Sequence, residues 1–357
     1  MADALLSDAS QDPSDMRAAV RAFPDHLAEG WRRGGATSGF GLRTSAFNGV
    51  VVCGMGGSAI GGDLVRTLVE PSASVPFVVN RGYTLPGWVG ERTLVVASSY
   101  SGGTEETLSA FGEARKRGAR ILAVTSGGTL AEQAEDDGID TVEIPGGLQP
   151  RAALGYSLGV LLRLADAMGL ARISDAEFET ALDDARQRAE RYDRDADSSR
   201  EAGAANAARD LSAHFKGALP VVYTGVGLLE AVGMRWRTQI HENAKHPAVG
   251  NVFPELDHNE IMGFESGPED VLRRMQVVVL RDRDDHAQVQ KRFRATRDLV
   301  EGSVGGWHEV ETDGESRLSR TLSLVQLGDW ASFWLAMRKG VDPTPVETIQ
   351  ELKKTLA

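Results

Sequence analysis

The sequence predicts an α/β protein made of two related halves, each a parallel sheet flanked by helices. Short β-rich apolar runs alternate with segments of helical periodicity, which is the pattern of strands buried on both faces beneath crossover helices. The alternation starts near residue 49, lapses through a charged, alanine-rich stretch, and begins again near residue 219. A length of 357 residues also suits two domains or one large duplicated one.

Taken in order, residues 1–44 read as an N-terminal helical segment, with a helical pattern from Met16 to Trp31 that Pro24 interrupts. Residues 45–170 form the first half. Its strands are expected over residues 49–53, 75–80, 93–97, 120–125 and 141–144. Residues 105–117 read as a helix because Leu108, Ala110, Phe111 and Ala114 approximate one face, and residues 151–168 read as an apolar helix. Residues 171–210 form a helical linker whose charges suit wet helix faces rather than a binding patch. The second half, residues 211–340, opens on a strand ending at Gly225 and Gly227, followed by a helix over residues 228–243. Strands over residues 275–280 and 307–310 and an apolar helix over residues 321–337 complete it. Residues 341–357 hold a C-terminal helix, and the likeness between the halves is faint.

Composition narrows the function. An apolar share of 41% is ordinary for a globular protein, and a net charge of −12 argues against general nucleic-acid binding. The apolar runs are too short to span a bilayer, which argues against a membrane partner. The opening residues lack a signal pattern, and Arg32-Arg33 is followed by glycines rather than an apolar stretch. The single cysteine, Cys53, ends an apolar strand and reads as a small core residue. A cytoplasmic location is the expectation.

Two loops carry phosphate chemistry. The run Val50-Val51-Val52-Cys53 stops at Gly54-Met55-Gly56-Gly57-Ser58 and enters a helix. Glycines leave the backbone amides open, the helix N-terminus favours an anion, and Ser58 adds a hydroxyl. The run Leu94-Val95-Val96-Ala97 leads into Ser98-Ser99-Tyr100-Ser101-Gly102-Gly103-Thr104, several hydroxyls around two glycines. Ligands of open α/β sheets sit beyond the carboxyl ends of the strands, so both loops can converge on one phosphate. No Gly-Lys-Ser/Thr follows the glycines, so neither is a P-loop.

The second half supplies acid–base candidates. Gln239-Ile240-His241-Glu242-Asn243-Ala244-Lys245-His246 precedes Pro254-Glu255-Leu256-Asp257-His258-Asn259-Glu260. His241-Glu242 suggests a zinc protease, but the next histidine stands at i+5. At about 100° per residue the two rings lie roughly 140° apart, too far around the helix to share a metal. Glu242 as a base and His258 as a proton carrier fit better. An NADP-dependent dehydrogenase could use Gly54-x-Gly56-x-x-Ala59 with Arg81 on the 2′-phosphate, but leaves the hydroxyl-rich loop unexplained. A non-catalytic sugar-phosphate sensor is the other alternative; its transcriptional form needs a basic DNA-binding segment, which the acidic first forty-odd residues do not supply. An amidotransferase needs an N-terminal cysteine, and residue 2 is Ala.

Together, Gly54–Ser58, Ser99–Thr107, Pro150-Arg151, Glu242-Asn243 and Pro254–Glu260 resemble the bifunctional phosphoglucose/phosphomannose isomerases of the sugar-isomerase (SIS) superfamily. The likeness runs in order from residue 49 to Glu351-Leu352-Lys353. It implies two SIS subdomains of flavodoxin-like form, a homodimer with a shared active site, no metal or cofactor, and a hexose 6-phosphate substrate. An aldose and a ketose would interconvert through a cis-enediol(ate). Ser58, Ser99, Ser101 and Thr104 would bind the phosphate, with Gly56, Gly57 and Tyr100 in the same loops and Gly57 giving a backbone donor. Arg151 would offset charge on the intermediate, Glu242 would be the base, His258 would open the ring from the partner subunit, and Lys353 would touch substrate. Gly103 departs from the family, which usually has Asn there, and the N-terminal segment is longer than expected.

Overall fold

β1 (Gly49–Cys53) is wholly buried, as a run of valines between glycines should be when both sheet faces are covered. In the computed structural model, which describes residues 9–194 and 206–356, it is an inner strand of the first sheet. With β2 (Phe77–Asn80), β3 (Thr93–Ser99), β4 (Arg120–Thr125) and β5 (Thr141–Glu143), the order is β2-β1-β3-β4-β5, every pair parallel. This is the flavodoxin-like order, whose direction reverses between β1 and β3. Two helices precede this sheet, α1 (Met16–Arg21) and α2 (Phe23–Gly34). Four more, α3 (Gly56–Val69), α4 (Glu105–Lys116), α5 (Gly128–Asp136) and α6 (Leu154–Met168), follow β1, β3, β4 and β5.

The described residues fall into two compact units. One comprises Ala22–Arg186 with Ser316–Leu318; the other comprises the residues up to Arg21, Gln187–Glu315 and those from Ser319 onward. In the first unit, α2 and α6 pack backbone to backbone. A Cβ at Gly155 would lie 2.7 Å from His26 Cβ and 2.8 Å from the Leu27 nitrogen. Cβ atoms at Gly30 and Gly159 would overlap the facing backbone outright. The helical pattern is interrupted where Pro24 suggested: α1 ends at Arg21, Ala22 is a turn, and Pro24 sits in the first turn of α2, where a missing N–H is harmless. The expected helix from residue 151 begins only at Leu154, because the Ala152 and Ala153 amides turn back onto the Gln149 carbonyl.

The charged stretch after residue 171 is less solvated than its composition suggests. In α7 (Asp175–Asp193), Phe178, Leu182, Ala185 and even Arg188 are buried, and Phe178 stacks on Trp31 with centroids 4.1 Å apart. Part of the expected linker, residues 195–205, lies outside the described residues.

The second unit repeats the pattern. After α8 (Ala207–Phe215) come β6 (Leu219–Gly225), α9 (Glu230–Ala244), β7 (Val249–Phe253), the short α10 (Gly263–Ser266) and α11 (Glu269–Leu272), β8 (Met275–Arg281), α12 (Ala287–Val300), β9 (Gly306–Glu311), α13 (Arg317–Lys339) and α14 (Glu347–Leu356). The sheet is parallel in the order β7-β6-β8-β9. β7 is a strand that sequence reasoning passed over, since Gly250 and Asn251 dilute its β signal.

A buried polar seam joins α9 to α13. Arg235 donates to both Asp329 oxygens, at 2.8 and 2.7 Å, and Gln239 adds a third bond at 3.0 Å. Asn243 donates to Ser332 Oγ at 2.9 Å. Arg235, Gln239 and Asn243 are four residues apart and so share one face of α9. Burial pushes the Asp329 carboxyl up, against the pull of Arg235 and Gln239.

The α2–α6 contact yields a sign-reversed test. Gly→Ala in a helix interior normally stabilises by about 1 kcal/mol. Gly159→Ala should instead cost about 1–3 kcal/mol through overpacking. Urea denaturation checks this: the midpoint falls with an unchanged slope, whereas a gain in stability would mean the backbones are not in contact.

Candidate active site

The anion-binding geometry begins at the tip of β1. The Gly54 amide donates to Asn80 O at 3.2 Å, and a Cβ on Gly54 would lie 2.9 Å from Ser98 O, so β3 presses against this glycine. Met55 is extended, Gly56 takes a φ of +50°, and α3 starts with no side chain capping it. The Ser58 amide turns back onto the Met55 carbonyl at 3.1 Å, which leaves the Gly56 and Gly57 amides of the first turn to an anion, beside the buried Ser58 side chain. A Cβ on Gly57 would stand 2.8 Å from the Pro150 carbonyl oxygen, which brings the turn carrying the buried Arg151 against this loop.

The tip of β3 lies alongside, because Cys53 pairs with Ala97 in register. Ser99 Oγ and Thr104 Oγ1 are 2.9 Å apart, and the Gly103 amide points to Ser101 Oγ at 3.4 Å. α4 also begins without a side-chain cap, at Thr104. Gly102, with a φ of +68°, crosses so tightly over Gly127 that no side chain fits, and its carbonyl accepts the Leu130 amide at 2.9 Å. Tyr100 is committed to holding the loop: its hydroxyl accepts the Leu148 amide at 3.0 Å and its carbonyl accepts Ser126 Oγ at 2.6 Å. Burial pushes its phenol up, so it stays protonated. Gly103 has open space where a side chain would be, so the missing asparagine is not a steric necessity. Arg81, offered for a 2′-phosphate, instead pairs with Asp63 on α3.

The equivalent crevice of the second sheet, between β6 and β8, is filled by the chain itself. Asp285 Oδ2 accepts the Asp282 amide at 2.8 Å, and Asp282 Oδ1 accepts the Asp284 amide at 2.9 Å. Asp282 Oδ2 also takes Arg320 Nε and Thr312 Oγ1, each at 2.8 Å. Asp285 Oδ1 lies 3.0 Å from where a Cβ on Gly225 would sit, and His286 Nδ1 caps α12 through the Gln288 amide at 3.1 Å. Carboxylates occupy the donors that an external anion would need. Burial pushes Asp285 up to about 6, helped by the charges of Asp282 and Asp284.

Glu242 stands near the C-terminus of α9, half-buried, at the rim of a cavity of about 500 Å³ lined also by His241, Lys245, Val341, Pro345 and Ile349. Lys245 closes the helix in the left-handed region, donating to the Glu242 and Pro343 carbonyls at 2.7 and 2.8 Å. His258 ends a short 3-10 turn beyond β7 and its side chain is exposed. Lys353 lies on α14, exposed along its whole described length. The structure thus brings Gly56, Gly57, Ser58, Ser99, Ser101, Thr104 and Arg151 together in one unit, while Glu242, His258 and Lys353 stand on separate segments of the other. The Gly127-Gly128 crossing went unnoticed in the sequence; a glycine pair directly after a strand was its signal. Among the described residues, no group of three or more His, Cys, Asp or Glu is placed to hold a metal ion, and no helix is long and apolar enough to cross a membrane.

Known proteins resemble this chain along most of its length. Residues 204–356 match the model of the bacterial phospho-glucose isomerase C-terminal SIS domain. A bifunctional phosphoglucose/phosphomannose isomerase of Caldicellulosiruptor bescii is 46% identical over 308 residues, covering 86% of this chain and 89% of its own. One from Aquifex aeolicus is 38% identical, covering 87% and 91%. One from Thermoplasma acidophilum is 35% identical, covering 88% and 92%. Among solved structures, a hypothetical protein from Thermus thermophilus aligns with a TM-score of 0.73 at 18% identity, over 99% of this chain and 92% of its own. The C-terminal domain of glucosamine-fructose-6-phosphate aminotransferase from Francisella tularensis aligns at 0.61 and 15%, over 90% and 96%. At these identities the structures show a shared fold.

The self-filled crevice makes a pH-dependent prediction. Asp285 holds its proton to about 6 when folded but to only 3.8 ordinarily, so the unfolded chain deprotonates first as pH rises. Stability conferred by the neutral form is lost between those values and stays lost above. Asp285→Asn, which mimics the neutral form, should raise Tm at about pH 7–8 and lose that advantage below about pH 4. Thermal melts across this range check it; an equal advantage at both ends would refute it.

Proposed function

The chain belongs to the family of bifunctional phosphoglucose/phosphomannose isomerases, and on that premise we propose that it interconverts glucose 6-phosphate and mannose 6-phosphate with fructose 6-phosphate. The observation that carries this is the 46% identity, over nearly the whole length of both chains, to an isomerase of that description. The geometry supports it: two adjacent strand-tip loops, each opening an uncapped helix, suit a phosphate dianion better than a dinucleotide.

In this reading Ser58, Ser99, Ser101 and Thr104, with the Gly56 and Gly57 amides, hold the phosphate and orient the sugar. His258 moves a proton at the ring oxygen and opens the hexose. Glu242 takes the proton from C2; the C–H electron pair enters the C1–C2 bond, and the former carbonyl oxygen at C1 becomes anionic. Arg151 offsets that charge. A proton passes from the C2 hydroxyl to the C1 oxygen, and return of the first proton to C1, with a carbonyl forming at C2, gives the ketose. Glucose and mannose 6-phosphates differ only at C2 and lead to the same enediol, so one base that reaches either hydrogen serves both. Lys353 is assigned a substrate contact. The active form is taken to be a cytoplasmic homodimer in which His258 serves the partner's site, acting without metal or cofactor.

A coupled assay offering each hexose 6-phosphate separately, with EDTA present, should show turnover of both. Glu242→Gln should lower kcat by about 10²–10⁴ while leaving inhibition by inorganic phosphate unchanged. Near-normal isomerisation by that variant would remove Glu242 from its role.

A further inference from the structure

The loop that carries His258 is held by every polar side chain except His258. Asp257, immediately before it, is almost buried and accepts two bonds from α12: Arg292 Nη1 to Oδ2 at 2.8 Å and Thr296 Oγ1 to Oδ1 at 2.9 Å. Asn259, immediately after it, accepts the Glu260 amide at 2.6 Å through Oδ1 and donates to Glu255 Oε1 at 2.8 Å. Glu260 then ties the loop to the sheet, accepting Tyr223 OH from β6 at 2.5 Å and Asn251 Nδ2 from β7 at 2.7 Å. Burial and the Glu260 carboxylate both push the Tyr223 phenol up, which keeps it a donor. His258 itself is exposed.

These bonds go well beyond what a surface turn needs. Thr296 is 2% exposed, and the ion pair with Arg292 neutralises the carboxylate placed beside it. A carboxylate whose side chain is only 9% exposed and which holds two donors resists displacement, since release would leave its charge unpaired with little access to water. We propose that Asp257, clamped by Arg292 and Thr296, is a positioning residue that fixes His258 for ring opening. The proposal rests on the assignment of ring opening to His258 and adds its support: Asp257 sets the height and direction of the backbone at residue 258 and touches no reacting atom. Misplacing a catalytic group by about 1 Å can cost about 100-fold in rate.

Ring opening can be read apart from isomerisation, as enzyme-dependent exchange between the anomers of glucose 6-phosphate in magnetisation-transfer NMR. His258→Ala should abolish the enzymic exchange, whereas Glu242→Gln should retain it. Asp257→Asn should reduce exchange about 10- to 100-fold with KM changed less than about threefold, and should add nothing when combined with His258→Ala. Thr296→Val, isosteric and gentler on folding, should fall between the wild type and Asp257→Asn. Exchange by Asp257→Asn or Thr296→Val within about twofold of wild type would overturn the proposal, whatever happens to the urea midpoint. Unchanged exchange in His258→Ala would overturn the ring-opening assignment itself.

Discussion

The parallel pairing of β1 with β3, with Cys53 opposite Ala97, is the constraint on which the rest depends. It is the point where strand order reverses, so the chain leaves the two strands on opposite sides of the sheet and opens a crevice between the departing loops. A slip of one residue would move one loop by about 3.3 Å and exchange the faces of its strand. The register is secured by burial: every residue of β1 and β3 is inaccessible. Cys53, the last residue of β1, belongs to this packing, and burial pushes its thiol up to about 12, which leaves it unreactive. Glycines then do at the tip what valines cannot do in the strand. Gly54 admits β3, Gly57 admits the Pro150 carbonyl, and Gly102 admits the β4 loop.

The two sheets use one topology for opposite electrostatic ends. In the first, hydroxyls and uncapped helix amides remain at the switch point. In the second, Asp282 and Asp285 accept backbone amides and Arg320 balances their charge. This contrast favours the first sheet as the seat of an anion. The second unit contributes rigidity of another kind. The Arg235–Asp329 pair adds little net stability once desolvation is counted, but breaking it would strand a buried charge between α9 and α13. Glu242 precedes Asn243 in that seam by one residue, so it lies about 100° around the helix, off the packed face.

What could be read from sequence was whatever depends on neighbours along the chain. The valine run into Gly54, the hydroxyls around Gly102, and the polar segment from Pro254 to Glu260 are all local patterns, and each marks a real loop. The partners across the fold were not legible. Arg235 and Asp329 are 94 residues apart, and nothing in either helix announces the other. In Arg281-Asp282-Arg283-Asp284-Asp285, where every residue is charged, Asp282 is buried because Arg320 and Thr312 reach it from distant segments. α7 misleads in the same way: its charges are obvious, while the stripe of Phe178, Leu182 and Ala185 becomes informative only beside Trp31.

The most direct test of the central claim is diffraction from crystals soaked with fructose 6-phosphate. The account predicts phosphorus density at the β1 and β3 tips, within hydrogen-bond reach of the Ser58, Ser99, Ser101 and Thr104 hydroxyls. Density at the β6 and β8 tips, beside Asp282 and Asp285, would contradict it, as would a phosphate bound away from both sheets.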